Sequence, residues 1–229
     1  MNILEIVNKA CIRCKMPVIN DLFSSDNQAR EFLGYAETAA YDILNYHTWR
    51  KLITTKNFTS TATDTFALPA DFNGLSSYYI YDIDRNLMLP YTTDDKALEA
   101  QSNKTNIDEM PWRVIGSNIF FNLPIEAGRN LRYTYKSKYF ALSDTSVIKE
   151  TFTQNTDTFV LDTEALIRGI CYQKAISYAD ADLSARENAF RSHLFSLREN
   201  EAALRKSNVF EEEPNRISPV EFQPYGGNV

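Results

Sequence analysis

Three cysteines, seven glycines and two histidines are all that the 229 residues offer of the residue types on which small chemical sites most often rest. Three thiols cannot build a disulfide framework. None of the glycines is arranged as a phosphate-cradling loop, so nucleotide binding has no support. His47 and His193 stand at no metal-ligand spacing from each other or from Cys171. A histidine-dependent hydrolase would need a nucleophile motif, and no Gly-x-Ser-x-Gly elbow or equivalent occurs. No apolar run approaches the roughly 20 residues of a membrane helix. The opening Met1-Asn-Ile-Leu-Glu-Ile lacks the basic region and small-residue cleavage site of a signal peptide, so a soluble chain made in a cytoplasm is expected. Positive charge is short as well: 24 Lys and Arg stand against 30 Asp and Glu, a formal net charge of −6. Such a chain has no basic field for gripping nucleic acid by counterion release. An acidic wall does suit a channel through which DNA must slide without sticking.

What the chain does have is helical periodicity at both ends and β-type periodicity between them. Ile3, Ile6, Val7, Ala10 and Cys11 recur at helical spacing, and Pro17 stops that helix. Ser24-Ser-Asp26 precedes a second, longer helix with an apolar stripe of Ala29, Phe32, Leu33, Ala36, Ala39, Ala40, Ile43 and Leu44, expected to end near Trp49. From Leu52 onward the pattern shortens to β-branched and aromatic runs, Ile53 to Thr59, Thr65 to Leu68, Ser77 to Asp82 and Leu87 to Tyr91, punctuated by Asp, Asn, Gly and Pro. Residues 93–101 read as a short helical insert. Trp112 to Phe121 gives two strands around Gly116-Ser117, and Asn130 to Lys136 alternates strictly. The polar, Thr/Asp-rich stretch 141–157 reads as a long loop or flap.

The last third returns to helix. Asp162 and Thr163 offer an N-cap to a helix running from Ala165 to Ala181, with Leu166, Ile167, Ile170, Cys171, Ala175, Ile176, Tyr178 and Ala179 around much of its circumference. Ser184-Ala-Arg-Glu187 is a capping box for a final helix. On it Leu183, Phe190, Leu197 and Leu204 recur every seven residues with Leu194 beside them, while Arg186, Arg191, Arg198, Glu199, Arg205 and Lys206 point elsewhere. The expected fold is therefore α+β: a helical bundle drawn from both chain ends with an inserted, mostly antiparallel β subdomain and an extended C-terminal arm. The divisions fall at 1–51, 52–158, 159–208 and 209–229.

Each candidate for chemistry has a structural explanation. Cys11-Ile-Arg-Cys14 matches Cys-x-x-Cys but lies in or at the end of the first helix, without the strand or helix N-terminus that would activate a thiol, so both cysteines are expected to be structural. His47 and His193 suit packing or a helix-end contact. Asp180-Ala-Asp182, between two helices, suits the dipole of the second. No catalytic residue, cofactor or metal is expected. Tyr78, Tyr79, Tyr81, Tyr91, Tyr133, Tyr135, Tyr139 and Phe140 would suit a sugar-binding or base-stacking sheet, but alternation turns about half of them inward, and the rest are what oligomer interfaces use. The tail from Val209, with Glu211-Glu-Glu213, three prolines and the spaced apolar residues Phe210, Val220, Phe222 and Tyr225, is either solvated or an arm that orders on a partner.

Leu68-Pro-Ala-Asp-Phe72, then Trp112 to Pro124 with Ala127-Gly128, then Leu131-Arg-Tyr-Thr-Tyr135, then Leu161 to Gly169 occur in an order that resembles the head-to-tail adaptor proteins of short-tailed bacteriophages, over about residues 1–206. The resemblance implies a homo-oligomeric ring, commonly twelvefold, docked under the portal protein and receiving the tail nozzle or tube. DNA would pass through without sequence-specific binding, and no membrane would be involved. The partner-interface candidates are Phe210, Val220, Phe222 and Tyr225 of the arm and Arg191, Arg198 and Arg205 of the last helix. The alternative reading is a carbohydrate- or receptor-binding module with a helical oligomerisation segment.

Overall fold

The computed structural model describes residues 1–92, 111–121 and 125–211, with only the backbone for 204–211. Among them four α-helices and eleven short strands, all paired antiparallel within three sheets, make an α+β fold. The helical insert expected at 93–101 lies outside the described residues.

α1 (Ile3–Arg13) buries Ile3, Ile6, Val7, Ala10 and Cys11, the five residues its periodicity selects. Its start is set by a capping box that the sequence reading overlooked: Glu5 N donates to Asn2 Oδ1 at 2.9 Å and Asn2 N to Glu5 Oε2 at 3.2 Å. α2 (Asn27–Tyr46) begins where Asp26 accepts from Gln28 N at 3.0 Å. It ends short of Trp49, because that residue turns back and donates its indole N–H to Ile43 O at 2.6 Å, supplying a partner to a carbonyl of the last turn. α3 (Thr163–Tyr178) starts on the expected cap, with Ala165 N donating to Asp162 Oδ1 at 2.7 Å. Leu166, Ile167, Ile170, Cys171 and Ala175 are buried, whereas Ile176 and Tyr178 are exposed, so the cover fails at the C-terminal end.

α4 (Leu183–Glu211) departs from expectation at both ends. The Ser184 capping box does not set its start. Arg186 N donates to Asp182 O and Arg186 Nε to Asp182 Oδ2 at 2.8 Å, while the Glu187 carboxylate that the box would have used is taken by Arg191 at 2.8 Å in an i,i+4 ion pair. At the other end the helix continues past residue 208, carrying Phe210 within it. Its seam holds, with Phe190 and Leu194 buried and Leu197 packed against the same cluster.

α3 contacts α1, α2 and α4. One apolar cluster draws on residues 3–52 and 140–194 together. Four alanines on α2 and Gly169 on α3 permit the closest crossing: a Cβ on Gly169 would stand 2.7 Å from Ala39 Cβ and 3.2 Å from the Phe190 ring.

β8 (Asn130–Ser137) is the spine of the largest sheet. Leu131, Tyr133, Tyr135 and Ser137 face inward in strict alternation. β1 (Ile53–Thr59) pairs with it along its whole length, and β3 (Phe72–Leu75) and β4 (Tyr79–Asp82) pair with it as well, with β5 (Leu87–Pro90) beyond β4. A second sheet orders β2 (Thr65–Ala67), β7 (Asn118–Phe121) and β6 (Trp112–Ile115), its hairpin turning at Gly116 with φ +59°, which a Cβ would disfavour. The two share a core of Ile80, Leu89, Trp112, Ile119, Phe121, Leu131, Tyr133 and Tyr135. Trp112 Nε1 satisfies Leu89 O at 2.9 Å, and the buried Arg129 guanidinium pairs with the buried Asp82 carboxylate. Lys136 Nζ joins this layer to the helices by donating to Leu44 O at 2.6 Å.

The stretch 141–157 is mostly loop, as expected, but a tied one rather than a flap. β9 (Ala141–Leu142), β10 (Ile148–Lys149) and β11 (Thr158–Phe159) form a third small sheet around it, and Asp157, buried within, accepts from Lys149 Nζ, Thr153 N and Gln154 N. Outside 141–142 and 148–149 the stretch is loop and turn, mostly exposed as its polar composition suggests, but the polar groups around Asp157 are satisfied internally and pin it.

Candidate interaction surface

The outer face of α4 carries the expected arginines in a specific setting. Arg191 pairs with Glu187 at 2.8 Å, and Arg198 pairs with Glu199 at 3.1 Å while its guanidinium lies 4.7 Å from the centre of the Phe195 ring. Residues 191, 195 and 198 share one helix face, so the exposed Phe195 stands among the arginines of that face and under Arg198. Sequence reading found the arginines and missed the ring; its spacing of four and three residues from them was the available signal. Arg205 and Phe210 continue along the helix backbone, and Val220, Phe222 and Tyr225 lie outside the described residues.

Beside this face is a cleft of about 300 Å³ between the end of α2, the start of α3 and α4, with Ile43, Trp49, Leu161 and Leu197 for walls and Glu201 at its edge. Glu201 accepts from Arg50 N at 3.3 Å and stands 3.5 Å from His47 Nε2, while His193 Nε2 lies 3.0 Å from Asp162 Oδ1. Both histidines are thus tied to carboxylates that hold helix ends. Asp180 is likewise committed, to Lys174 Nζ at 2.8 Å.

The tyrosines do not form one platform. Tyr133 and Tyr135 are core residues, and burial pushes the Tyr133 hydroxyl up to about 12. The exposed aromatic area is a small patch at β4 and β5, where Tyr78 packs on Tyr91 with ring centres 5.5 Å apart and Met88 lies open to solvent. This arrangement suits a protein contact better than a row of stacked sugars or bases, which needs successive exposed rings along a strand. Among the described residues, no cluster of His, Cys, Asp or Glu is placed to hold a metal, and no helix is long and apolar enough to cross a membrane.

Glu164, at the start of α3, fastens α3 to the end of α1. It receives Arg13 from α1 through two hydrogen bonds, at 2.8 and 2.9 Å, and Arg168 Nε at 2.8 Å. The hydrogen bonds from Arg13, with those from Arg168, hold its carboxyl down to about 2. A carboxylate whose folded pKa lies below its ordinary value contributes stability that is complete above the ordinary value and is lost as pH falls towards the folded one. Melting temperatures measured from pH 6 to pH 2 are therefore expected to fall below about pH 4.5, and to fall less steeply in Glu164→Gln. Equal slopes for the two proteins would remove Glu164 from the account.

The whole of this arrangement, from α1 to the end of α4, coincides with a known family: residues 1–214 match the family model of the SU10 adaptor protein. The chain belongs to the SU10 adaptor protein family. It is thus a bacteriophage head-to-tail adaptor and a structural protein of the virion. No curated protein matches it. The SU10 adaptor match runs three residues past Glu211, where α4 ends, so it takes in both helical ends, all three sheets and the Arg191–Phe195–Arg198 face.

Proposed function

We propose that the chain assembles into a ring at the junction of head and tail, docked on the portal protein above and on the tail nozzle or tube below, with DNA passing through its channel. The family match over residues 1–214 carries this reading. A twelvefold ring is the form that the resemblance implies, and a deficit of positive charge, −6 overall, suits a lumen through which DNA moves without being held. Helices from both chain ends, 1–51 and 159–208, make the ring wall as a bundle, and the hairpins of 52–158 reach towards the tail. The role is structural and no reaction is assigned.

Neighbouring subunits in a closed ring meet through two different surfaces. The arginine- and phenylalanine-bearing outer face of α4 and the cleft edged by Glu201 are the two surfaces we assign to such a contact. The arm, with Val220, Phe222 and Tyr225 following Phe210, serves as the docking element for the portal. Cryo-electron microscopy of the particle tests the ring: density for this chain is expected between portal and tail, and density elsewhere overturns the proposal. For the arm, a chain ending at residue 211 is expected to keep its melting temperature while losing affinity for portal. Undiminished portal binding, or a lowered melting temperature, removes that role.

A further inference from the structure

We propose that the cavity lined by Arg13, Arg168 and Arg186 receives the acidic run Glu211-Glu-Glu213 of a second copy of this chain, so that the end of α4 in one subunit is held at the start of α4 in the next. The inference rests on the proposed ring in requiring a neighbour, and its test is read on the single chain.

The cavity, of about 250 Å³, opens where the end of α1, the middle of α3 and the start of α4 meet, and each helix contributes one guanidinium. Two carboxylates answer the three cations. Glu164 takes both Nη atoms of Arg13, at 2.8 and 2.9 Å, and Arg168 Nε at 2.8 Å, while Asp182 takes Arg186 Nε at 2.8 Å. One positive charge is left over. Arg168 Nη1 reaches Ala189 O only at 3.4 Å, and Arg186 Nη1 is given to the Cys14 sulfur at 3.2 Å, a weak acceptor. Nη2 of each makes no hydrogen bond among the described residues. Arg13 and Arg168 keep 46% and 37% of their side-chain surface exposed, so a chain from outside reaches them. Guanidiniums fixed by carboxylates on one edge and open on another present a preformed fork to an incoming carboxylate.

The chain carries a ligand of that chemistry. Glu211, Glu212 and Glu213 are three of the four acids after Asn208, against the single cation Arg216. Their own subunit's cavity is out of their reach. Arg186 and Glu211 belong to one continuous helix, and at about 1.5 Å per residue the span from 186 to 211 is about 37 Å. Glu212 and Glu213 add at most about 7 Å of chain. The occupant is therefore a second copy. Such a contact joins two different surfaces, end to start, which is the form that repeats around a closed ring. A DNA phosphate offers similar oxygens, but a chain of net charge −6 gives a polyanion little attraction beyond this one cavity, whereas every copy brings the acidic run with it.

Fluorescence anisotropy of a labelled peptide of residues 208–218, titrated with the full-length chain, tests this. Saturable binding is expected at about 0.05 M salt, weakened several-fold at about 0.3 M because exposed charges are screened. Glu212→Gln with Glu213→Gln in the peptide is expected to weaken binding about tenfold, and this change leaves the protein's fold untouched. Arg168→Gln and Arg186→Gln in the protein, each checked for native circular dichroism, are expected to weaken it by a similar factor. Lys56→Gln, at an exposed cation of β1, is expected to leave it unchanged. Binding indifferent to salt, to the peptide's glutamates or to both arginines overturns the proposal. So does displacement of the peptide by an equal concentration of a DNA oligonucleotide, which would assign the cavity to phosphate. The particle judges the ring separately: a ring without peptide binding removes this contact alone, and peptide binding without a ring removes the ring reading.

Discussion

Asp157→Ala is expected to destabilise the folded chain by about 3–5 kcal/mol, the cost of leaving a buried charge and several donors without their partner. The carboxylate is fully enclosed and receives Lys149 Nζ at 2.7 Å, Thr153 N at 2.6 Å and Gln154 N at 3.0 Å. Its own backbone carbonyl accepts from Ile3 N at 2.7 Å, so the turn it organises also receives an otherwise orphaned donor at the start of α1. Around it Phe140, Phe152 and Phe159 pack edge to face or tilted. Burial alone would raise the pKa of Asp157, but the hydrogen bonds from Lys149 and the two amides outweigh it and the net direction is down. The stabilisation is therefore present at neutral pH and lost on acidification below the ordinary aspartate value. Urea unfolding at pH 7 checks the magnitude. A loss under about 1 kcal/mol would mean that water enters and replaces these contacts.

Gly169→Val is expected to cost about 3 kcal/mol or more, and Gly169→Ala about 1–3 kcal/mol, although alanine is the better helix former by about 1 kcal/mol. The reason is the crossing of three helices at this point. A new Cβ would lie 2.7 Å from Ala39 Cβ on α2, nearer than carbon atoms can approach, and 3.2 Å from the Phe190 ring on α4, a tight contact. Ala39→Gly is expected to recover part of the loss in the Gly169→Ala background, because it removes the closest of those atoms. Chemical denaturation of the four proteins in the cycle measures the coupling. Additive effects would show that the crossing relaxes by moving Phe190 instead.

Gly169 is also where sequence reading stopped short. Its place in a helical run is visible, but whether a neighbour comes within van der Waals distance depends on helices that start 142 residues earlier and 14 later in the chain. The same holds for Phe195, whose contact with Arg198 becomes a surface feature only once its helix face is known to lie outward.

Local periodicity determined most of the elements. The apolar spacing of residues 3–11, the strict alternation of 131–137 and the glycine at 116 each leave one conformation that buries the apolar side chains, and the structure adopts it in each case. The order of those elements, with the motifs around Trp112 and Leu161, was enough to place the chain among phage adaptors, and the family match agrees. Tertiary structure alone decided matters where a polar group had several partners to choose from. Ser184 and Glu187 could have capped α4, but Asp182 engages Arg186 and Glu187 engages Arg191. Residues 141–157 are mostly loop, as their composition suggests, yet the buried Asp157 gathers Lys149 Nζ and the amides of Thr153 and Gln154, and two-residue strands tie the loop into a small sheet. Cys14 was expected only to pack at a helix end, and the fold brings Arg186 from α4 to within 3.2 Å of its sulfur. Apolar patterns are read from near neighbours, since burial needs only a face, whereas a hydrogen bond or ion pair needs one particular atom, and the fold alone decides which atom arrives.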